Sequence, residues 1–435
     1  MPESQPDNAF QVEIEAMGTG GLGIGRHGQR TVYLPFTIPG ETVIARPLET
    51  AETFIRAEGI TLIESSADRI MPRCPHFGIG RCGKCQWQHI DYAAQVLIKQ
   101  DVFTEELERG GIKNPPVRPI IASPKAWGYN HHMIFTVGGD RTPIPNGVDE
   151  DGEPAFLPNP SLFLGFPSID DRELISIAEC HILHPDLLDL YEQLDLDLTG
   201  LRRVKVQIGS DGATMLILTA LEDIAPQVES ELRVSVNLIL PDNEPMNLIG
   251  ESHTRFKVHG REFRVTAGSF FRSNVDQVPA LVDSVLNLLD LRHDDAVLDL
   301  YAGVGLFSAF IAPHADLVSM VESYPPAVTD ADKNLETFGN VDVFEGGVDS
   351  VLNALDEQYS AAVIDPPAQG ISADALKALT ELGVERAALI VDDAGALAKE
   401  VKKFVRAGYT LQAIQPIDLA PQTWYVDAVA LFTRT

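Results

Sequence analysis

At 435 residues the chain exceeds what one hydrophobic core usually organises, so two or three domains are expected. Its 45% hydrophobic content suffices for folding, no run approaches the ~18 apolar residues of a membrane span, and MPESQPDNAF lacks the basic and apolar segments of a signal peptide, so a cytoplasmic monomer is expected and membrane spans are excluded. The formal net charge of −30 argues against tight, nonspecific nucleic-acid binding, because polyanions are usually met by basic surfaces that release counterions.

From the N-terminus, residues 9–66 alternate apolar and polar residues between Gly-rich turns, the pattern of a small all-β barrel. Such barrels bind single-stranded nucleic acid or serve as plain scaffolds. Four Arg and no Lys stand against seven Glu there, so no electrostatic RNA footprint is visible. Next come three cysteines, Cys74, Cys82 and Cys85, with the fourth, Cys180, about a hundred residues on. The Cys82-Gly83-Lys84-Cys85 turn lets two sulfurs reach one centre, as zinc and iron–sulfur sites both require, and spacing does not choose between them. Disulfides suit exported proteins, and nothing here indicates export. A helix is expected from Tyr92 to Gly110, then a mixed α and β stretch to about residue 258, with Thr142 to Phe166, rich in Pro, Gly and Asp, read as an exposed loop.

From about residue 259, helices and strands alternate as a parallel sheet demands. Val297 to Phe307, VLDLYAGVGLF, runs a hydrophobic strand into an acid and a Gly-x-Gly turn, where glycines let the backbone approach a nucleoside ligand. Val318 to Glu322 is a second buried strand ending in a carboxylate placed for a ribose diol, and Ala361 to Pro367 a third ending in Asp365-Pro366-Pro367. Together they describe one cleft, similar to that of a doubly wound S-adenosylmethionine-dependent methyltransferase rather than a nicotinamide enzyme.

Nearly end to end, the chain resembles the bacterial RNA 5-methyluridine methyltransferases. The resemblance is carried by Gly23-Ile24-Gly25-Arg26 and Pro39-Gly40-Glu41, by Ser66 to Gly78 and Cys82 to His89, by Gly268-Ser269-Phe270-Phe271 with Asn274, by Asp299 to Gly305, by Asp365-Pro366-Pro367 with Gly370, and by Pro421 with Thr423. It implies a TRAM β-barrel over 1–69, a central α+β domain with a metal-cluster loop over 70–258, and a C-terminal α/β doubly wound, Rossmann-like methyltransferase domain over 259–435. It further implies a [4Fe-4S] cluster on Cys74, Cys82, Cys85 and Cys180, with zinc as the runner-up. Tyr301, Gly303, Gly305 and Glu322 would line the S-adenosylmethionine cleft, Asp365 would sit where cofactor and target base meet, and the substrate would be a uridine of rRNA or tRNA.

Carbon 5 of uracil is too weak a nucleophile to take a methyl group unaided, and the family is understood to add a cysteine thiolate at carbon 6. A cluster on all four cysteines leaves no thiol for that step. By its flanks, the family's nucleophile position falls on Asp392, a hard and weak nucleophile. Arg272 stands in place of a glutamine and is assigned to cofactor binding; Ala368 replaces an arginine, Gly347 an acid, Leu306 a small or polar residue, and Asp427 a glutamate that would remove the carbon-5 proton. His131 and His132, in a stretch the family fills with arginines, are candidates for pH-dependent RNA contacts. Two functions remain: an RNA methyltransferase using Asp365, Asp427 and Asp392, or a non-catalytic RNA- and cofactor-binding scaffold.

Overall fold

Period-two alternation closes the N-terminal segment into a five-stranded barrel: β1 (Phe10–Gly18), β2 (Leu22–His27), β3 (Arg30–Leu34), β4 (Thr42–Thr50) and β5 (Phe54–Glu64), in the order β1-β2-β3-β5-β4. Val12, Ile14, Val32, Leu34, Val43, Ala45, Ile55 and Ala57 point inward and fill it. The computed structural model describes residues 8–142, 144–148, 154–157, 161–223 and 231–434. Glu41, fully buried at the barrel's mouth, accepts from the Ile38 N–H at 2.9 Å and from both sides of the Arg69 guanidinium at 2.5 and 2.8 Å. That pair anchors the barrel to the chain leaving it and explains why an acid follows Pro39-Gly40.

Helix α1 (Tyr92–Arg109) starts where Asp91 accepts from the Ala93 N–H, and ends at the residue before the expected Gly110. The middle of the chain forms β6 (His132–Gly138), β7 (Ile144–Val148), β8 (Pro154–Leu157), β9 (Phe163–Pro167), β10 (Leu174–Ser176), α2 (Pro185–Glu192), β11 (Leu201–Ile208), β12 (Thr214–Ala220), β13 (Val234–Ile239) and β14 (Pro245–Ile249). Seven of these strands make one sheet, β10-β9-β6-β11-β12-β13-β14. The segment Thr142 to Phe166 is not the expected plain loop: β7 and β8 pair, Ile144 opposite Leu157, and β9 joins the sheet.

Strands β15 (His253–Val258) and β16 (Arg261–Thr266) form a hairpin. Phe256 and Phe263 lie opposite each other and are buried in the core of the C-terminal part of the chain. This part comprises α3 (Val278–Leu289), β17 (Ala296–Leu300), α4 (Leu306–Ile311), β18 (Leu317–Glu322), α5 (Pro325–Leu335), β19 (Val341–Glu345), α6 (Val348–Leu352), β20 (Ala361–Ile364), α7 (Ala373–Glu381), β21 (Arg386–Val391), α8 (Ala394–Arg406), β22 (Thr410–Ile417) and β23 (Asp427–Thr433). The sheet runs β19-β18-β17-β20-β21-β23-β22, parallel except for β23, as the alternating pattern requires. Its strands are apolar on both faces because helices cover both, one core layer lying under α3, α4 and α5 and the other under α6, α7 and α8.

Helix α1 belongs physically to this second layer, with Phe103 and Leu107 buried in it. Lys99 of α1 is fully buried and donates to Asp418 at 2.7 Å and to the Ala420 and Tyr425 carbonyls at 3.0 and 2.9 Å. Gln422, in the same loop at φ +69°, exchanges hydrogen bonds with Gln95 of α1, and its carbonyl accepts from the Gln86 and Trp87 N–H groups at 3.0 Å each. The loop before β23 thus binds the cysteine segment, α1 and the C-terminal sheet together.

Candidate active site

In an open parallel sheet, ligands bind beyond the carboxyl ends of the strands where the strand order reverses. Here the order reverses between β17 and β20, and the loops after β17, β18, β20 and β21 wall a cleft of about 610 Å³, within the ~300–1,000 Å³ of small-molecule sites. Arg272, Tyr301, Gly303, Glu322, Asp365 and Asp392 all line it, so six expected site residues from distant parts of the chain share one space.

The turn after β17 carries the strain expected of a ligand-binding loop. Tyr301, Gly303 and Gly305 all have positive φ, at +60°, +56° and +81°. For Tyr301 that backbone is costly, and its ring packs into the core on one side while facing the cleft on the other. A Cβ on Gly305 would stand 2.8 Å from Leu335, whereas one on Gly303 would meet nothing and project into open space. Gly305 is therefore a packing glycine, and Gly303 leaves room for a ligand. Glu322 ends β18 with its carboxylate fixed by three backbone donors, Gly303 at 2.9 Å and Ser323 and Tyr324 at 2.7 Å each, its remaining lone pairs turned toward the cleft it lines. Behind the turn, Asp299 is buried, one oxygen accepting from the Ser308 N–H and hydroxyl at 2.8 and 2.6 Å and the other without a partner. Burial pushes its carboxyl up to about 7, against the pull of those bonds.

At the other end of the cleft Arg272 clasps Asp365 through both carboxylate oxygens, at 2.8 and 2.9 Å, and reaches Asp427 at 3.1 Å. Its guanidinium also lies 5.7 Å from the ring of Phe270, which is 64% exposed. Asp392, exposed just past β21, adds negative charge to this group. Burial first, then Asp392 and Asp365, push the Asp427 carboxyl up to about 7 although Arg272 opposes them; burial likewise raises Asp365. The group therefore contains a carboxyl poised to take or give a proton near neutrality.

The four cysteines line a different, narrow cavity, between the loop after the barrel and the segment before α2. All four thiols are pushed up, chiefly by burial, so holding them as thiolates there requires a cation. Among the described residues, no group of three or more His, Cys, Asp or Glu is arranged to hold a metal ion. His131 and His132 are not surface contacts. His131 is buried with Nδ1 3.1 Å from the Tyr129 carbonyl, and His132 joins Nε2 to the Phe271 carbonyl at 2.9 Å, tying β6 to the loop segment that leads to Arg272. Lys399, Glu400 and Lys403 of α8 also line the cleft and were not anticipated; Lys403 pairs with Glu400 at 2.7 Å, while Lys399 is exposed. Their signal was three lysines within five residues of a lysine-poor chain.

Residues 260–414 match the model of the methyltransferase small domain. The chain is 30% identical over 451 residues to an uncharacterized RNA methyltransferase of Streptomyces coelicolor, covering 99% of this chain and 94% of that protein. It is 29% identical over 443 residues to another of Streptomyces avermitilis, covering 97% of each. Its fold is that of the Pyrococcus abyssi tRNA (uracil-54, C5)-methyltransferase, a structure in complex with S-adenosyl-L-homocysteine, at TM-score 0.71 and 19% identity over 98% of this chain and 100% of that one. By its end-to-end similarity to these relatives, the chain belongs to the RNA methyltransferase family.

Proposed function

We propose that the cleft binds S-adenosylmethionine and presents a uridine of rRNA or tRNA to it, and that transfer proceeds without a cysteine adduct, at an acceptor atom made nucleophilic by losing a proton. The observation that carries this reading is the Arg272-Asp365-Asp427 group, set at the cofactor end of the sheet with all four cysteines in another cavity. Glu322 suits a ribose diol, Gly303 leaves space for the nucleoside, Tyr301 and Gly305 shape the turn, and the cofactor would supply an electrophilic methyl group. Asp427 is the base, with Asp392 and Asp365 holding its proton affinity near neutrality and Arg272 orienting both Asp365 and Asp427.

The cysteine cavity we assign to a [4Fe-4S] cluster. Four sulfurs lining one cavity, those of Cys85 and Cys180 buried and those of Cys74 and Cys82 partly so, are the donor set such a cluster takes, and the family resemblance rather than the spacing favours it over zinc. The barrel is read as a TRAM unit, and the division into residues 1–69, 70–258 and 259–435 as the working domain scheme, in a cytoplasmic monomer.

A second reading, a scaffold that binds RNA and cofactor without turnover, is favoured by Arg272 already occupying the carboxylates that would handle protons. Methyl transfer from labelled cofactor to total RNA of a deletion strain, followed by nucleoside analysis, separates the two: label in a nucleoside supports the enzyme, and none leaves the scaffold. An RNA carrying 5-fluorouridine should form no denaturation-resistant adduct, and a stable covalent complex would overturn the thiol-independent route.

A further inference from the structure

Cations are scarce in this chain, 33 Lys and Arg against 63 Asp and Glu, and only eleven are lysines. Three of those eleven, Lys399, Lys402 and Lys403, fall within five residues of α8. Such concentration stands out in a chain of net charge −30, whose surface as a whole would repel a polyanion.

A second groove, of about 290 Å³, opens between α8, the C-terminal end of α1 and the short turn Thr19–Gly21 of the barrel. Arg109 of α1 and Lys399 and Lys402 of α8 line it, with Glu106 the one acid and Thr19 supplying the barrel's wall. The two helices meet closely beneath it, since a Cβ on Gly110 would stand only 2.5 Å from that of Ala398. Arg109, Lys399 and Lys402 are exposed, and among the described residues none of the three forms an ion pair, whereas Lys403 is spent on Glu400. Lys399 lines both this groove and the cleft. Lys399 therefore stands between the groove and the candidate active site.

We propose that this groove between barrel, α1 and α8 is a binding site for the RNA backbone, seating phosphates next to the nucleotide that enters the cleft. The proposal rests on the reading of the cleft as an RNA-modifying site and adds where the strand runs. Arg109 and Lys402 would neutralise phosphates, Lys399 would hold the one at the cleft's edge, and the barrel would form the far bank. An acidic protein would then engage RNA along one short track and reject it elsewhere.

The test uses the full-length protein, the double variant Arg109→Gln/Lys402→Gln, and a fluorescein-labelled oligouridylate followed by anisotropy over a salt series. Neither substituted residue lines the cleft, so calorimetric S-adenosylmethionine binding should match wild type and certify the fold. Losing two phosphate contacts should weaken RNA binding on the order of tenfold at low salt and flatten the slope of log affinity on log salt by about 1.4, at roughly 0.7 per contact on a single strand. If wild type binds and the variant keeps its affinity and slope, the groove is not the track, although the proposed function stands. If wild type does not bind RNA at all, the proposed function falls and the groove with it. Tight calorimetric binding of inorganic phosphate that the variant loses, with RNA affinity unchanged, would reassign the groove to a free anion and overturn the RNA track.

Discussion

Arg272 holds Asp365 by both carboxylate oxygens, at 2.8 and 2.9 Å, and reaches Asp427 with its other terminal nitrogen at 3.1 Å. A cation there lets Asp365, Asp427 and Asp392 crowd one end of a cleft that would otherwise carry several unbalanced charges.

Removing that cation should be costly. Arg272→Gln leaves two largely buried carboxylates without their partner, and breaking such a pair costs about 3 kcal/mol at alkaline pH. Urea denaturation at acid and alkaline pH measures it, with the smaller loss expected in acid, where the carboxyls take up protons. An unchanged midpoint at both pH values would show that the clasp contributes nothing to stability.

The buried carboxyls also set the pH dependence of the wild-type fold. Asp299 and Asp427 are pushed up to about 7, so the folded state binds their protons more tightly than the unfolded chain does. Where the native state holds more protons, stability falls as pH rises, so the loss lies between about 4 and about 7 and amounts to a few kcal/mol. Melting temperature should decline across that window, and Asp299→Asn should flatten the decline. A Tm that rises through the window in both proteins would contradict the assignment.

Cofactor binding should fail first at the glycine that faces open space. Gly303→Val puts a β-branched side chain at φ +56° and fills the cleft, so calorimetric heat with S-adenosylmethionine or its demethylated product should vanish while the circular dichroism spectrum stays native. Retained binding would move the nucleoside elsewhere along the sheet edge.

Anaerobically purified protein should be brown with broad visible absorption, and Cys82→Ser should bleach it. A colourless wild-type protein carrying one zinc would reject the cluster.

The Lys99–Asp418 pair joins α1 to the C-terminal sheet with both side chains fully buried. Lys99→Met takes the cation from a buried Asp418 that keeps only the Tyr92 hydroxyl and the Ala420 N–H, at a cost of about 3 kcal/mol, whereas adding Asp418→Asn should recover much of it. Equal destabilisation by the single and double variants, measured by denaturant unfolding, would mean that packing rather than charge dominates there.

Local patterning made much of the molecule legible. Alternation revealed the barrel because a strand's side chains switch faces at every residue, and three strand-end acids with a Gly-x-Gly turn revealed the doubly wound half because that chemistry is written within a few residues. Cysteine count and spacing pointed to one sulfur-lined cavity. The features hidden from the sequence are long-range. His131 and His132 are polar residues in an apparently exposed strand, yet they are spent on backbone carbonyls. Strands β7 and β8 form a paired ribbon where composition suggested a loop, and α1 packs on the C-terminal sheet as well as on the barrel and the segment before it. Arg272 could be seen to be unusual, but that it bridges Asp365 and Asp427, 93 and 155 positions away, is decided only when the strands come into register. Period and spacing are properties of the neighbouring backbone, whereas a clasp, a hub such as Gln422 or a groove between two helices and a barrel exists only once distant segments share a surface.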